Sequence, residues 1–139
     1  MSLIGKLHPL LVHFPIALVL AAAGGELVVI AMPRQGWRTA AVANIRAAAV
    51  VGVGTALTGW LFAASPLVDA NALLEWHRWA GMASAIGATA AALLSLRLHP
   101  ASRRSALLYR LTLFATALLV AITGHLGGTL VWGTRFFHQ

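Results

Sequence analysis

The chain has 139 residues, of which 60% are hydrophobic and 9% charged, and its mean hydropathy is +0.84. A soluble domain carries about 25% charged residues, and a small one leaves much of its surface wet, so this composition excludes an ordinary soluble globule and points to a membrane-embedded helical protein. The absence of cysteine removes disulfides, zinc–thiolate sites, iron–sulfur clusters, covalently attached haem and cysteine nucleophiles.

A transmembrane helix needs about 20 mostly apolar residues, and four stretches qualify. The first covers residues 9–32 and is stopped by Pro33; the second covers 39–64 and is stopped by Ser65-Pro66. The third covers 72–98 and is stopped by His99-Pro100; the fourth covers 105–132. Asn71 and Ser105 are the expected N-caps. The long Ala/Leu/Val runs show none of the alternation a membrane barrel requires. The expected fold is all-α: one integral-membrane domain over residues 1–139, a four-helix bundle with up-down-up-down topology.

In that topology the termini and the link from Ala64 to Asn71 share one side. The other side carries Arg34, Arg38, Arg46, Arg97, Arg103, Arg104 and Arg110, against Lys6, Arg78 and Arg135 on the first. The basic excess places the arginine-rich side in the cytoplasm. A multi-pass protein of the bacterial inner membrane with both termini periplasmic follows. The net charge of +7 is thus a topology signal. Cations confined to short loops offer no groove for a phosphate backbone, so lipid, not nucleic acid, is the expected partner. Lys6, an apolar run and Ala21-Ala22-Ala23 loosely fit a signal peptide. The run continues through Met32 and holds His13 and Pro15, so cleavage is not expected.

The histidines carry the chemistry. His13, His77 and His125 fall on three different helices, each roughly 6–11 Å below the same membrane face at 1.5 Å per residue. His8 caps that layer from just above. His99 lies in a loop on the other side and His138 in the tail, where a backbone hydrogen bond explains them. Ionisable groups inside a bilayer are costly and mark function, so the four histidines at one depth form a candidate site. Imidazole suits haem iron, copper, zinc and nickel. Glycines favour haem, because a flat macrocycle needs helix surfaces without side chains. Gly81 follows His77 by one turn; Gly124, Gly127 and Gly128 surround His125; Gly52, Thr55, Ala56 and Gly59 form a stripe on the second span. Close helix packing through small residues is the competing account of that stripe.

The segments His8-Pro9-Leu10-Leu11-Val12-His13-Phe14-Pro15-Ile16-Ala17-Leu18, His77-Arg78-Trp79-Ala80-Gly81 and Thr123-Gly124-His125-Leu126-Gly127-Gly128 resemble a family of predicted bacterial four-helix membrane proteins of unknown function. Members of that family sometimes occur beside c-type cytochrome domains. The resemblance covers almost the whole chain. It implies a small membrane module in a redox setting, such as a b-type cytochrome.

The expectation is a membrane b-type cytochrome that carries electrons between a quinol pool and periplasmic carriers such as a c-type cytochrome. One haem b sits near the periplasmic face, with two haems as the second reading. His13 and His77 match in depth on diagonal helices and are the expected axial pair, with His125 the first replacement and His8 the fourth candidate. Gly81 and Gly128 would lie against the ring. Arg78 and Arg135 would pair with propionates or anchor to headgroups. Trp60, Trp76, Trp79 and Trp132 on the periplasmic side and Trp37 opposite read as interfacial belts, with Trp76 and Trp79 the candidates for haem-edge packing. Two rivals stand beside this. His13, His77, His125 and His8 would bind copper or zinc tetrahedrally, or the chain is a structural subunit of a respiratory complex. Glu26, the acid inside a span, is expected to pair with Arg46 at matching depth. No nucleophile–base pair, phosphate loop or metalloprotease motif is present, so an electron-transfer protein is favoured over a self-contained enzyme. The sequence leaves the oligomeric state open.

Overall fold

The computed structural model describes residues 4–32, 35–66, 68–98 and 102–133, and all their regular structure is helical. A 3-10 turn (Gly5–Leu7) leads into the single turn α1 (His8–Leu11), followed by α2 (His13–Ala31), α3 (Gln35–Ala63), α4 (Ala72–Ser95) and α5 (Arg103–Trp132). The second, third and fourth expected spans each correspond to one long helix, and the first to α1 and α2. Asn71 caps α4 as the sequence implies, its side chain accepting from the Leu74 N–H at 2.9 Å. The expected cap at Ser105 is corrected: Ser102 caps α5 by accepting from the Ser105 N–H, and the helix starts at Arg103. His99, His138, Arg34 and Arg135 lie outside the described residues.

The first span is not one uninterrupted helix. Pro15 lacks the N–H that would bond the Leu11 carbonyl, and the ladder slackens there, with the Ile16 N–H 3.5 Å from the Val12 carbonyl. Before this break Gly5 presses its backbone onto α3. A Cβ at Gly5 would stand 3.0 Å from the Phe62 nitrogen, so only glycine seats the opening turn there.

Among the described residues, three helical stretches are long and apolar enough to cross a membrane: Gly5–Ala31, Gly36–Ala63 and Arg103–Trp132. The α4 helix is not among them. Its first two turns carry Glu75, His77 and Arg78, and serine, threonine and glycine dilute the rest.

Each long helix packs on the next, and α5 closes back on α2. Fully buried Ala22, Ala41, Ala48 and Ala91 let the backbones approach, while Val19, Ile45, Tyr109 and Leu113 fill the middle. Neighbours meet in opposite order along the chain. Gly25 meets Ala41 and Gly52 meets Pro15, while Gly87 meets Thr116 and Gly127 meets His77.

This register overturns the expected Glu26–Arg46 pair. Glu26 is fully buried, and its Oε1 accepts from Arg110 Nε at 2.8 Å and from Arg38 Nη2 at 2.9 Å. Arg46 donates instead to Ser95, through Nε to Oγ at 2.9 Å and through Nη2 to the carbonyl at 3.4 Å. The reason is the short connection after α2. Because α3 starts at Gln35 and Gly25 faces Ala41, Glu26 stands level with residue 40. Arg46 lies about 9 Å further along.

Candidate functional site

At the end of the bundle where α1 begins, a cavity of about 700 Å³ opens between the helices. Two histidines face each other across it. The His8 and His77 ring centroids are 6.3 Å apart, with ring planes inclined at 74°. His8 reaches it from α1 and His77 from α4.

The two are held in the same way. His8 Nδ1 lies 3.1 Å from the carbonyl oxygen of Thr55 on α3, and His77 Nδ1 lies 3.1 Å from that of Thr123 on α5. A carbonyl only accepts, so each Nδ1 carries the proton. In a neutral imidazole Nε2 then keeps its lone pair. Each ring also sits close against a glycine, Cε1 nearest. A Cβ at Gly59 would stand 2.8 Å from His8 Cε1, and one at Gly127 would stand 3.0 Å from His77 Cε1.

A local rule explains the pattern. Thr55 and Gly59, like Thr123 and Gly127, are one helical turn apart. Side chains in a helix lean toward its N-terminus, so a residue one turn on covers the carbonyl before it. Glycine leaves that carbonyl's second lone pair open to an imidazole. The threonine hydroxyls bond back within their own helices, Thr55 Oγ1 to the Val51 carbonyl at 2.9 Å and Thr123 Oγ1 to that of Leu119 at 2.8 Å.

The correspondence extends over the cavity wall. From α1 and α2 come His8, Val12, His13, Pro15, Ile16 and Val19; from α4 come His77, Gly81, Met82, Ser84, Ala85 and Ala88. Taken in order, each of the second set stands the same distance along the chain from its counterpart. Gly52, Thr55, Ala56 and Gly59 of α3 correspond likewise to Val120, Thr123, Gly124 and Gly127 of α5. The cavity is thus built by two helical hairpins that present one half-site each, related by an approximate twofold.

Residues 6–137 match the family described as "Predicted membrane protein (DUF2231)". The chain belongs to this family. No curated protein and no solved structure matched it. The family description supplies membrane character and no activity.

In this member of the family, the four candidate histidines are not equivalent. The structure brings His8 and His77 together. His13 lines the cavity but is largely exposed, and its counterpart is Met82. His125 is exposed, and the cavity wall does not include it. Among the described residues no three His, Cys, Asp or Glu side chains converge as metal ligands. Gly81, Gly128 and Arg78 all line the cavity. Trp76 and Trp79 are exposed and stand outside its wall, whereas Trp60 belongs to it.

The roles missed from sequence are those of the Thr55 and Thr123 carbonyls as acceptors for the two histidines, and of Trp60 as part of the cavity wall. The first had a signal: a histidine followed at almost equal separation, 47 and 46 residues, by threonine with glycine one turn on.

Proposed function

We propose that this protein is a membrane b-type cytochrome that holds haem b between His8 and His77. The reading places the chain in the bacterial inner membrane as an up-down-up-down bundle with both termini periplasmic. Its site then lies near the periplasmic face, where electrons pass between a quinol pool and periplasmic carriers. The observation that carries it is the pair of imidazoles, each with Nδ1–H fixed to a carbonyl and Nε2 left to coordinate. A second-shell carbonyl bond of this kind sets the tautomer, orients the ring and raises its basicity as a ligand. Two imidazoles holding one metal at about 2.0–2.1 Å from each nitrogen place their centroids roughly 6 Å apart, close to the 6.3 Å found here. Two side-chain ligands suit a macrocycle that brings the other ligands itself. A volume of about 700 Å³ falls within the usual range for cofactor sites.

When bound, haem supplies one-electron chemistry; the chain's own groups set where and how. The Thr55 and Thr123 carbonyls hold the ligands, the glycines let them sit close against neighbouring helices, and Val19, Ala85 and Ala88 wall off water on the core side. An apolar shell of this kind tunes potential.

The test is purification followed by reduced-minus-oxidised spectroscopy. The parent should show a sharp α band. His8→Ala and His77→Ala should lose haem or become high-spin, whereas His13→Ala and His125→Ala should stay low-spin. A colourless parent containing copper or zinc would replace this reading with a metal-handling one.

A further inference from the structure

The two half-sites share the facing histidine, the threonine that holds it and the glycine one turn on, and among their differences, which include His13 against Met82 and Gly52 against Val120, two fall side by side. Where the first hairpin has Pro9 the second has Arg78, and where the second has Gly128 the first has Trp60; all four line the cavity. Both departures add polar side chains to the same side, because α3 and α4 pack directly on each other. The opposite side, with Pro9 and Gly128, has no side-chain donor at these positions.

Arg78 and Trp60 form a unit. The guanidinium carbon of Arg78 lies 3.8 Å from the centre of the Trp60 ring, and Trp79 packs its edge on Trp60 at 5.7 Å between centroids. Yet Arg78 Nε–H and Trp60 Nε1–H are both buried and have no hydrogen-bond partner among the described residues. Buried N–H groups without an acceptor are rare and costly. Both groups are donors only, so what satisfies them must be an acceptor, and beside a guanidinium a negative one is favoured. Asp69 also lines the cavity, but Arg78 forms no ion pair among the described residues.

We propose that Arg78 and Trp60 form a carboxylate subsite, which selects one of the two orientations that the twofold of the cavity would otherwise allow its ligand. This rests on the haem reading, in which the carboxylates are the haem propionates. The carboxylate-bearing edge then faces the α3–α4 seam, and the carboxylate-free edge faces Pro9 and Gly128.

The experiment titrates the purified full chain with haem and with haem dimethyl ester, which has the same iron and ring but no free carboxylate. The parent should prefer free haem by about tenfold or more, as charge-assisted hydrogen bonds require. Arg78→Leu combined with Trp60→Phe should bind the ester as the parent does and lose the preference. Arg78→Lys, which keeps a cation, should retain part of it. If the parent binds both ligands equally, the subsite is wrong and the haem reading stands. If the double variant loses both ligands alike while its helical content is unchanged, the two residues shape the wall only, and the subsite is likewise overturned. A parent that binds neither ligand overturns the haem reading and the subsite together.

Discussion

Replacing Gly59 by Ala tests the half-site at its tightest contact. The new Cβ would stand 2.8 Å from His8 Cε1 and 3.0 Å from Nδ1, against about 3.5–4.0 Å for carbon atoms in contact. The ring must therefore retreat by half an ångström or more. It has little slack, since its bond to the Thr55 carbonyl is already 3.1 Å, near the long end of the usual range. Losing that bond costs about 0.5–1.5 kcal/mol, and driving the ring off its rotamer costs a similar amount. The sum, about 1–3 kcal/mol, corresponds to roughly 5- to 150-fold weaker haem binding if it falls on ligation. Helix propensity works the other way, because Ala in a helix interior is favoured over Gly by about 0.8–1.0 kcal/mol. The haem-free protein should thus melt close to the parent while haem affinity drops. Gly127→Ala should do the same more weakly, its shortest contact being 3.0 Å. Gly54→Ala is the control: it sits on the same helix with nothing within 4 Å, so it should gain stability and keep haem. Thermal melts and haem titrations of the three variants are the assay. Parent-like haem affinity in Gly59→Ala would refute the reasoning.

Glu26→Gln leaves Arg38 and Arg110 facing a neutral group at a fully buried position, which should cost about 3–5 kcal/mol; Arg38→Ala, which leaves Arg110 in place, should cost less. Denaturation of the purified variants checks both, and haem content should not follow, because this cluster involves none of the cavity's lining residues. Gly128→Leu projects a side chain into the cavity where a Cβ meets nothing within 4 Å; haem content should fall with helical content retained, and unchanged haem content would count against the position of the ring. A reporter fused after Gln139 should be active in the periplasm, and cytoplasmic activity would invert the orientation.

The helices were legible because their signals are local. Proline stops, the Asn71 cap and apolar length mark them directly. The cap of α5 was read one turn late, since Ser105 and Ser102 are both serines before an apolar run, and hydrogen bonding decides between them. Depth within one helix follows from a fixed rise per residue, but matching depth between helices needs the length of the connection. Direction around the helix axis was not legible. α2 and α5 are apolar on nearly every side, so nothing in their pattern says that His125 points outward. The opening turns add a second difficulty. The slackened ladder before Pro15 and the 3-10 turn at Gly5–Leu7 bring His8 into the bundle, so the residue expected to cap the histidine layer instead faces His77. Glu26 was paired with the wrong arginine for a related reason: its level depends on how short the connection to α3 is, and the sequence does not count that.

The long helix that is not apolar enough to cross a membrane by itself, α4, brings His77 and Arg78 to the cavity, and this has a measurable consequence. Alone in lipid, the first turns of α4 would present Glu75, His77 and Arg78 without partners. Charged side chains cost about 2.5–3.5 kcal/mol at the centre of a span and less toward its ends. Within the bundle two of the three are accommodated: His77 donates to the Thr123 carbonyl, and Arg78 stacks on Trp60. Ser84, one turn deeper than Ala80, bonds the Ala80 carbonyl at 2.8 Å and lies 3.2 Å from Thr123 Oγ1. Neighbouring helices thus take over hydrogen bonds that lipid cannot supply. Residues 72–95 tested as an isolated segment in a membrane-insertion assay should therefore insert poorly, while residues 5–31, 36–63 and 103–132 insert on their own. Placing α5 after the segment should raise its insertion, and Thr123→Val should not remove the gain, because the carbonyl that holds His77 belongs to the backbone. Efficient insertion of residues 72–95 alone would show that the polar turns of α4 need no partner, and the link between cavity and membrane placement would be lost.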